Sequence, residues 1–364
     1  MAVEALFYLG HPAHFHLFKF AIRSLKPEQV VVCIKSKDVL EALLKEAGIP
    51  YINIDDKGKK MKGMVSLALA VASRTLTLSG LVQKFKPKRL MGSTAELSVL
   101  GKLFGIPSFI FFEDDLQFVP SYARIAGPAA TYLFCPDCCS AWKWEKKKIA
   151  YSSYHELAYL HPNHFQADPK RVPEFSTPGT RKFILRFSDL GAYHDEGIAG
   201  MTDAIALRII QRFEKEGKVF ITSERPLPPQ FEPYRISIPA SDIHHAMAYT
   251  DIFLGDSQTM TAEAAVLGTP AIRYNDWVGK LGYLEDLEHR YSLTYGIPTG
   301  AEEKLFSKLE ELLSIKDLKI EWQKRREKML SEKADFSKCI SWILECDPKD
   351  KESILQIANT KRFQ

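Results

Sequence analysis

The sequence has little cysteine, no long apolar run and almost no net charge. Its six cysteines (Cys33, Cys135, Cys138, Cys139, Cys339 and Cys346) are scattered, which excludes a disulfide-stapled scaffold and fits a reducing compartment. No stretch of about 18 apolar residues occurs, so no segment reads as a membrane-spanning helix. A net charge of +4 is too mild to mark a nucleic-acid partner. The opening MAVEALFYLGHP has no basic segment before its apolar run and no small-residue cleavage site, so it does not read as a signal peptide. A cytoplasmic location is therefore expected. The remainder, 46% hydrophobic and 26% charged, is an ordinary globular mixture, and 364 residues suggest two domains of about 150 each.

Short apolar runs alternate with helical patterns. ALFYL (5–9), VVVCI (30–34), YINI (51–54), RLMG (89–92), SFIFF (108–112) and ATYLF (130–134) read as strands, separated by helices near 14–25, 37–47, 64–85 and 94–104. The strands are continuously apolar, as those of a parallel sheet covered on both faces are. Residues 166–180 are polar, with Pro169, Pro173 and Pro178, and read as a linker. The alternation then restarts with FILRF (183–187), a helix near 194–217, VFIT (219–222), RISI (235–238), a helix at 242–249, DIFLG (251–255), a helix at 258–267 and PAIRY (270–274). The expected division is an N-terminal domain over 1–165, the linker, a C-terminal domain over 181–335 and a helical tail over 336–364. The class is α/β.

The segment DIFLGDSQTMTAEAAVLGTPAIR places a buried strand, a small polar turn and a helix in succession. The helix N-terminus at Asp256, Ser257, Gln258, Thr259 and Met260 presents free N–H groups, which favour a phosphate. Glu263 lies one turn in, where a carboxylate can accept hydrogen bonds from a ribose diol. An ordinary turn capped by Asp or Ser fits the same residues. In GHPAHFHLF, Gly10 follows the first strand, and His11, His14 and His16 crowd the turn, where a histidine suits a general base or an acceptor contact. Glu113, Asp114 and Asp115 follow the fifth strand; adjacent acids raise one another's affinity for protons, which suits a general base. His155 and Glu156 sit in YSSYHELAYLHPNHF, near the end of the first domain. Ser223 and Glu224 open a Pro-rich loop suited to contacting a base. Arg186 ends a strand, where a guanidinium can pair bidentately with a phosphate, and His194 and Asp195 open the next helix. Cys135, Cys138, His161 and His164 are spaced too loosely for a zinc motif, so no metal and no cofactor are expected. From Lys57 to Ala95 there is no acid, so 57–89 is the segment that would meet an anionic membrane surface.

Asp256, Ser257, Glu263, Ala264, Gly268 and Pro270 form the pattern D-S-x5-E-A-x3-G-x-P. This resembles the C-domain signature of GT-B glycosyltransferases and hydrolysing UDP-GlcNAc 2-epimerases. Residues 10–19, 151–165, 186–197 and 255–273 together resemble the GT-B-like family catalogued as domain of unknown function 354. The resemblance implies two Rossmann-like domains with parallel sheets facing a central cleft, and a C-terminal helix crossing back to the N-domain. It further implies a nucleotide-diphosphate-sugar substrate, UDP-sugars favoured, and a sugar or lipid-linked acceptor. Ser257, Gln258 and Thr259 would meet the phosphates and Glu263 the ribose. Two departures tilt the expectation towards a metal-independent glycosyltransferase of surface polysaccharide or glycolipid synthesis, and away from an epimerase or a non-catalytic binder. Ser93 stands where epimerases carry an aspartate in G-D-T. Their H-R-R-E-N segment is also absent, with Arg186, Asp189, His194 and Asp195 in its place.

Overall fold

The computed structural model describes residues 3–35, 38–54, 64–188 and 200–363. The chain divides into two compact units, Met1–Tyr159 with Ala334–Gln364, and Leu160–Lys333.

The first unit is built on strands Ala5–Leu9 (β1), Val30–Ile34 (β2), Ile52–Asn53 (β3), Arg89–Gly92 (β4), Ser108–Phe111 (β5), Tyr132–Pro136 (β6) and Lys148–Tyr151 (β7). They form one sheet in the order β3-β2-β1-β4-β5-β6-β7, and every pairing is parallel. Strands β1, β4, β5 and β6 are buried at every residue, as their apolar composition requires. The order reverses between β1 and β4, and open α/β sheets bind ligands outside the carboxyl ends of the strands at such a point.

The C-terminal segment belongs to this unit. The helix Phe336–Glu345 buries Phe336, Ile340 and Ile343, and Phe336 stacks on Tyr151 with ring centroids 4.1 Å apart. Arg89 at the start of β4 donates to the carbonyls of Ile343 at 2.6 Å and Cys346 at 3.1 Å. Both carbonyls lie at the end of that helix, where a cation meets the negative end of its dipole.

The second unit is built on Arg181–Phe187 (β8), Gly217–Ser223 (β9), Ile252–Gly255 (β10), Ala271–Tyr274 (β11) and Thr294–Ile297 (β12). The sheet order is β12-β11-β10-β8-β9, again parallel throughout. Its reversal lies between β8 and β10. Residues 166–180 pack within this unit: Phe175 is buried and its ring centroid lies 4.2 Å from that of Phe220.

Several elements differ from the sequence expectation. Lys148–Tyr151 and Thr294–Ile297 are strands that periodicity missed. Each has only four residues and lies at a sheet edge, where polar residues interrupt the apolar run. RISI makes one isolated bridge, Ile221 to Arg235, because the prolines before it build a 3-10 turn at Pro229–Tyr234. The helix near 194–217 spans Asp203–Phe213 among the described residues, and Thr202 caps it by accepting from the Ile205 amide.

Candidate functional site

At the reversal in the second sheet, Gly255 pairs with Arg186 on one side and Arg273 on the other. A side chain at Gly255 has no room: a Cβ there would lie 2.6 Å from Arg186 Cβ and 2.9 Å from the Arg186 carbonyl. The glycine therefore lets the arginine strand approach closely at the carboxyl edge of the sheet.

The chain then turns into the helix Gln258–Leu267. Ser257 caps it, its hydroxyl accepting from the Met260 amide at 3.3 Å. The amides of Gln258 and Thr259 have no acceptor within the helix, since the first turn of any helix lacks one. The geometry is that of an anion-favouring N-terminus. Asp256 takes a different place from the one its sequence position suggests. It is 1% exposed, and its two carboxylate oxygens accept from the amides of Ser188 at 2.7 Å and Met201 at 3.3 Å. Asn275 donates to its carbonyl at 2.7 Å. Burial pushes this carboxyl above its usual range, and the amides pull it back. Asp256 thus positions the turn and is occupied by its own backbone contacts.

Arg186 is 9% exposed. It donates through Nη1 to Thr222 at 2.9 Å and through Nη2 to the carboxylate of Glu224. Among the described residues its buried Nε has no hydrogen-bond partner. The neighbouring loop is held by its own contacts: Ser223 Oγ donates to the Arg225 carbonyl at 2.6 Å, and Arg225 Nη2 to the Met201 carbonyl at 2.8 Å. Glu263 is buried one turn into the helix and faces His244 Nε2 at 3.0 Å. The sequence motif did not single out this pairing, because His244 lies on a separate short helix, Ile243–Tyr249. The neighbouring His245 accepts from the Asp168 amide at 2.9 Å, which ties down the segment entering this unit. His194 and Asp195 lie outside the described residues.

The corresponding edge of the first sheet is different in chemistry. His11 caps the helix Pro12–Ser24 through its side chain, accepting from Ala13. His14 Nδ1 accepts from the Gly10 amide at 3.1 Å. His16 points elsewhere, stacking on Tyr159 with centroids 5.0 Å apart. His11 and His14 therefore stay together, their ring centroids 6.3 Å apart edge to face, and His16 packs apart from them. Across the reversal, a Cβ on Gly10 would lie 4.0 Å from both His14 and Thr94, so the ends of β1 and β4 adjoin.

The three acids after β5 separate. Asp115 is buried and accepts from the Ser140 amide at 2.8 Å. Asp114 is exposed. Glu113 turns to the segment His155–Ala158, accepting from the His155 amide at 2.8 Å. Two separate sequence segments, 113–115 and 155–156, are thereby brought into one cluster. Burial pushes the Glu113 carboxyl well above its usual range, and the nearby charge of Glu156 pushes the same way. Burial lowers His155 to about 3. At neutral pH His155 is therefore uncharged, and its Nδ1, 3.6 Å from Glu113 Oε2, makes no ion pair. The cluster is closed in by Tyr151, which is 1% exposed and whose hydroxyl has no partner among the described residues. Adjacent acids suggested a base at this position. A carboxyl with raised proton affinity suits general acid–base exchange.

Among the described residues no group of three or more His, Cys, Asp or Glu could hold a metal ion, and no helix is long and apolar enough to cross a membrane.

No family model matches the sequence, and no curated protein does. The fold does match solved structures. A UDP-GlcNAc 2-epimerase from Neisseria meningitidis bound to UDP-GlcNAc aligns with TM-score 0.61 at 14% identity, over 97% of this chain and 100% of that one. A UDP-N-acetylglucosamine 2-epimerase aligns with TM-score 0.60 at 16% identity, over 94% and 95%. A spinosyn rhamnosyltransferase complexed with spinosyn aglycone aligns with TM-score 0.58 at 12% identity, over 92% and 98%. The two units are those of the GT-B fold. At these identities the likeness carries the fold and no activity, and the resemblance to the family of unknown function 354 gains no support from the family comparison.

Proposed function

We propose that this chain is a GT-B enzyme acting on a nucleotide-diphosphate sugar, and that its second unit binds the diphosphate at the turn Gly255–Thr259. The observation that supports this most is the pairing of Arg186 with Gly255 at the sheet reversal, immediately before a helix N-terminus. A buried guanidinium on the strand next to one that ends in a helix N-terminus suits a leaving diphosphate, whose developing charge such groups stabilise without a metal. Glu263, reached through a small movement of His244, is the proposed ribose contact. The aligned structures include proteins bound to UDP-GlcNAc and to an aglycone, which supports a sugar donor and an acceptor here.

The reaction proposed is glycosyl transfer to a sugar or lipid-linked acceptor, with His14 or the Glu113 cluster exchanging the acceptor proton. Leu76, 74% exposed on the helix Met64–Phe85, supports a lipid-linked acceptor at a membrane surface. Epimerisation is the second reading. Ser93 removes one of the carboxylates it uses, but Glu156 beside Glu113 supplies a second acid that the strand ends alone did not predict. Incubation with nucleotide sugars separates the two. Transfer requires an added acceptor, whereas free nucleoside diphosphate with an altered free sugar and no acceptor means epimerase. Release of neither product from any UDP-, GDP- or CMP-sugar overturns the enzyme reading.

A further inference from the structure

We propose that the first unit carries a docking surface for anionic lipid, formed by the exposed faces of the helices Ala95–Phe104 and Pro120–Ala129 and the turn Trp142–Lys147. The nucleotide-sugar reading does not fix where the chain rests, and the surface stands or falls without it.

Exposed apolar side chains are concentrated in this region. Among the described residues eight large aliphatic side chains are exposed, and four of them, Leu76, Val99, Leu103 and Ile125, lie on three helices packed side by side. Leu103 is 70% exposed and Ile125 47%. Val99 and Leu103 are one helical turn apart and share a stripe. Apolar residues exposed singly are ordinary, but a group of them rimmed by polar residues marks an interaction surface.

The turn beside these helices is built to present tryptophan. Trp142 has a left-handed backbone, φ 53°, which is costly for a bulky residue. Its amide donates to Ser140 Oγ at 3.0 Å. The Glu145 carboxylate accepts from the Ala141 amide at 2.5 Å and from Ser140 Oγ at 3.1 Å. Trp144 lies against the helix Pro120–Ala129, where a Cβ on Gly127 would be 2.3 Å from its ring. Trp142 meets Trp144 edge to face at 5.7 Å, and Lys143 Nζ lies 4.5 Å from the Trp142 ring. Both tryptophans are half-buried. Amphipathic rings flanked by lysines suit the headgroup layer of a bilayer.

The charge of the region has one sign. No acid occurs from Leu97 to Phe112 or from Pro120 to Pro136. Lys102, Arg124, Lys143 and Lys146 are exposed. Lys102 lies close to the turn: burial, and then the charge of Lys102, lower the proton affinity of the Lys147 amine. Cations of this kind are drawn to an anionic leaflet while the apolar side chains enter it. A second copy of the chain is the poorer occupant, because a two-fold contact sets a patch against itself, cation against cation. The turn leads into β7, and Leu103 lies near the end of the helix that leads into β5. The surface is therefore towards the amino ends of the strands, and docking leaves the carboxyl edge open.

The test is co-sedimentation of the full chain with vesicles of phosphatidylcholine, with and without phosphatidylglycerol, together with tryptophan emission. The wild type should bind the anionic vesicles alone, lose binding as salt rises, and shift its emission to the blue. Lys102→Gln/Lys143→Gln/Lys146→Gln should weaken binding about tenfold or more, and Leu103→Ser/Ile125→Ser should also weaken it. Trp142→Asn, whose new residue tolerates a left-handed backbone, should reduce the blue shift. Leu207→Ser/Ile320→Ser, at exposed positions of the second unit, should bind as the wild type does. Melting curves confirm that each variant folds. No binding to anionic vesicles, equal binding by all variants, or an unchanged blue shift in Trp142→Asn overturns the surface. A dimer that Leu103→Ser/Ile125→Ser disperses, with no vesicle binding, assigns the face to a second copy and also overturns it. UDP affinity measured without vesicles should be the same in all these variants, and its absence throughout overturns the nucleotide reading alone.

Discussion

The carboxyl edges of the two sheets share one architecture and carry opposite chemistry. In the first unit the residues gathered there are titratable: burial and Glu156 raise the proton affinity of Glu113, burial lowers that of His155, and His14 reaches back to Gly10. In the second unit they are a buried arginine, a close-packed glycine and a capped helix N-terminus, the set proposed to hold an anion. The difference arises from the residues just beyond each strand end. Strand β10 runs into small residues that expose backbone amides. Strand β5 runs into acids whose neighbours exclude water. Parallel strands deliver each set to the carboxyl end of its own sheet, so one fold repeated twice presents two different sets of side chains.

The largest effect is expected on the anion side. Gly255→Ala forces a Cβ against Arg186 and should cost about 1–3 kcal/mol in chemical denaturation, together with the loss of nucleoside diphosphate binding. A fully stable, binding variant would break the account of the close approach. Glu263→Ala removes the acceptor facing His244 Nε2 and should cost about 1–3 kcal/mol while weakening UDP affinity. Unchanged affinity would leave Glu263 a packing residue and remove the ribose contact.

The proton side is sharpened by pH. The folded value of Glu113 lies above its usual 4.5. Its contribution to stability is therefore fully present below that value and lost as pH rises through the folded one, by at most about 1.4 kcal/mol per pH unit. Relative to Glu113→Gln, the wild type should lose stability as pH rises above 4.5 in urea denaturation. Glu156→Gln should move that loss to lower pH, because it removes the charge that raises Glu113. Parallel profiles would contradict a raised proton affinity at Glu113. The smallest effect is expected at His11. As a helix cap its removal in His11→Ala should cost about 0.5–1 kcal/mol of stability and leave UDP affinity unchanged, and a large loss of affinity would give His11 a ligand contact.

Much of the fold was legible because parallel strands buried on both faces spell continuous apolar runs; Phe7, Ile34, Ile110 and Phe253 are all buried as such runs require. The edge strands were not, since Lys148–Tyr151 and Thr294–Ile297 are too short and too polar to stand out. The turn at Gly255–Thr259 was legible from its small residues. The partners of its side chains were not. Asp256 looks like a ligand residue in sequence, yet it binds the amides of Ser188 and Met201, one of which lies 55 positions away. His155 and Glu156 stand out in sequence as candidate substrate contacts near the end of the first domain, and only the topology carries His155 to Glu113, 42 positions earlier. Spacing along the chain reports local geometry, and such long-range pairings leave no periodic trace.

The central claim is that the second unit holds a nucleoside diphosphate at the Gly255 turn. Amide hydrogen exchange of the full chain, with and without saturating UDP or GDP, tests it most directly. The account predicts slowed exchange over 255–263 and at Phe187 and Ser188, diminished in Arg186→Ala. Binding that leaves these amides unchanged, or that protects only residues of the first unit, would contradict it.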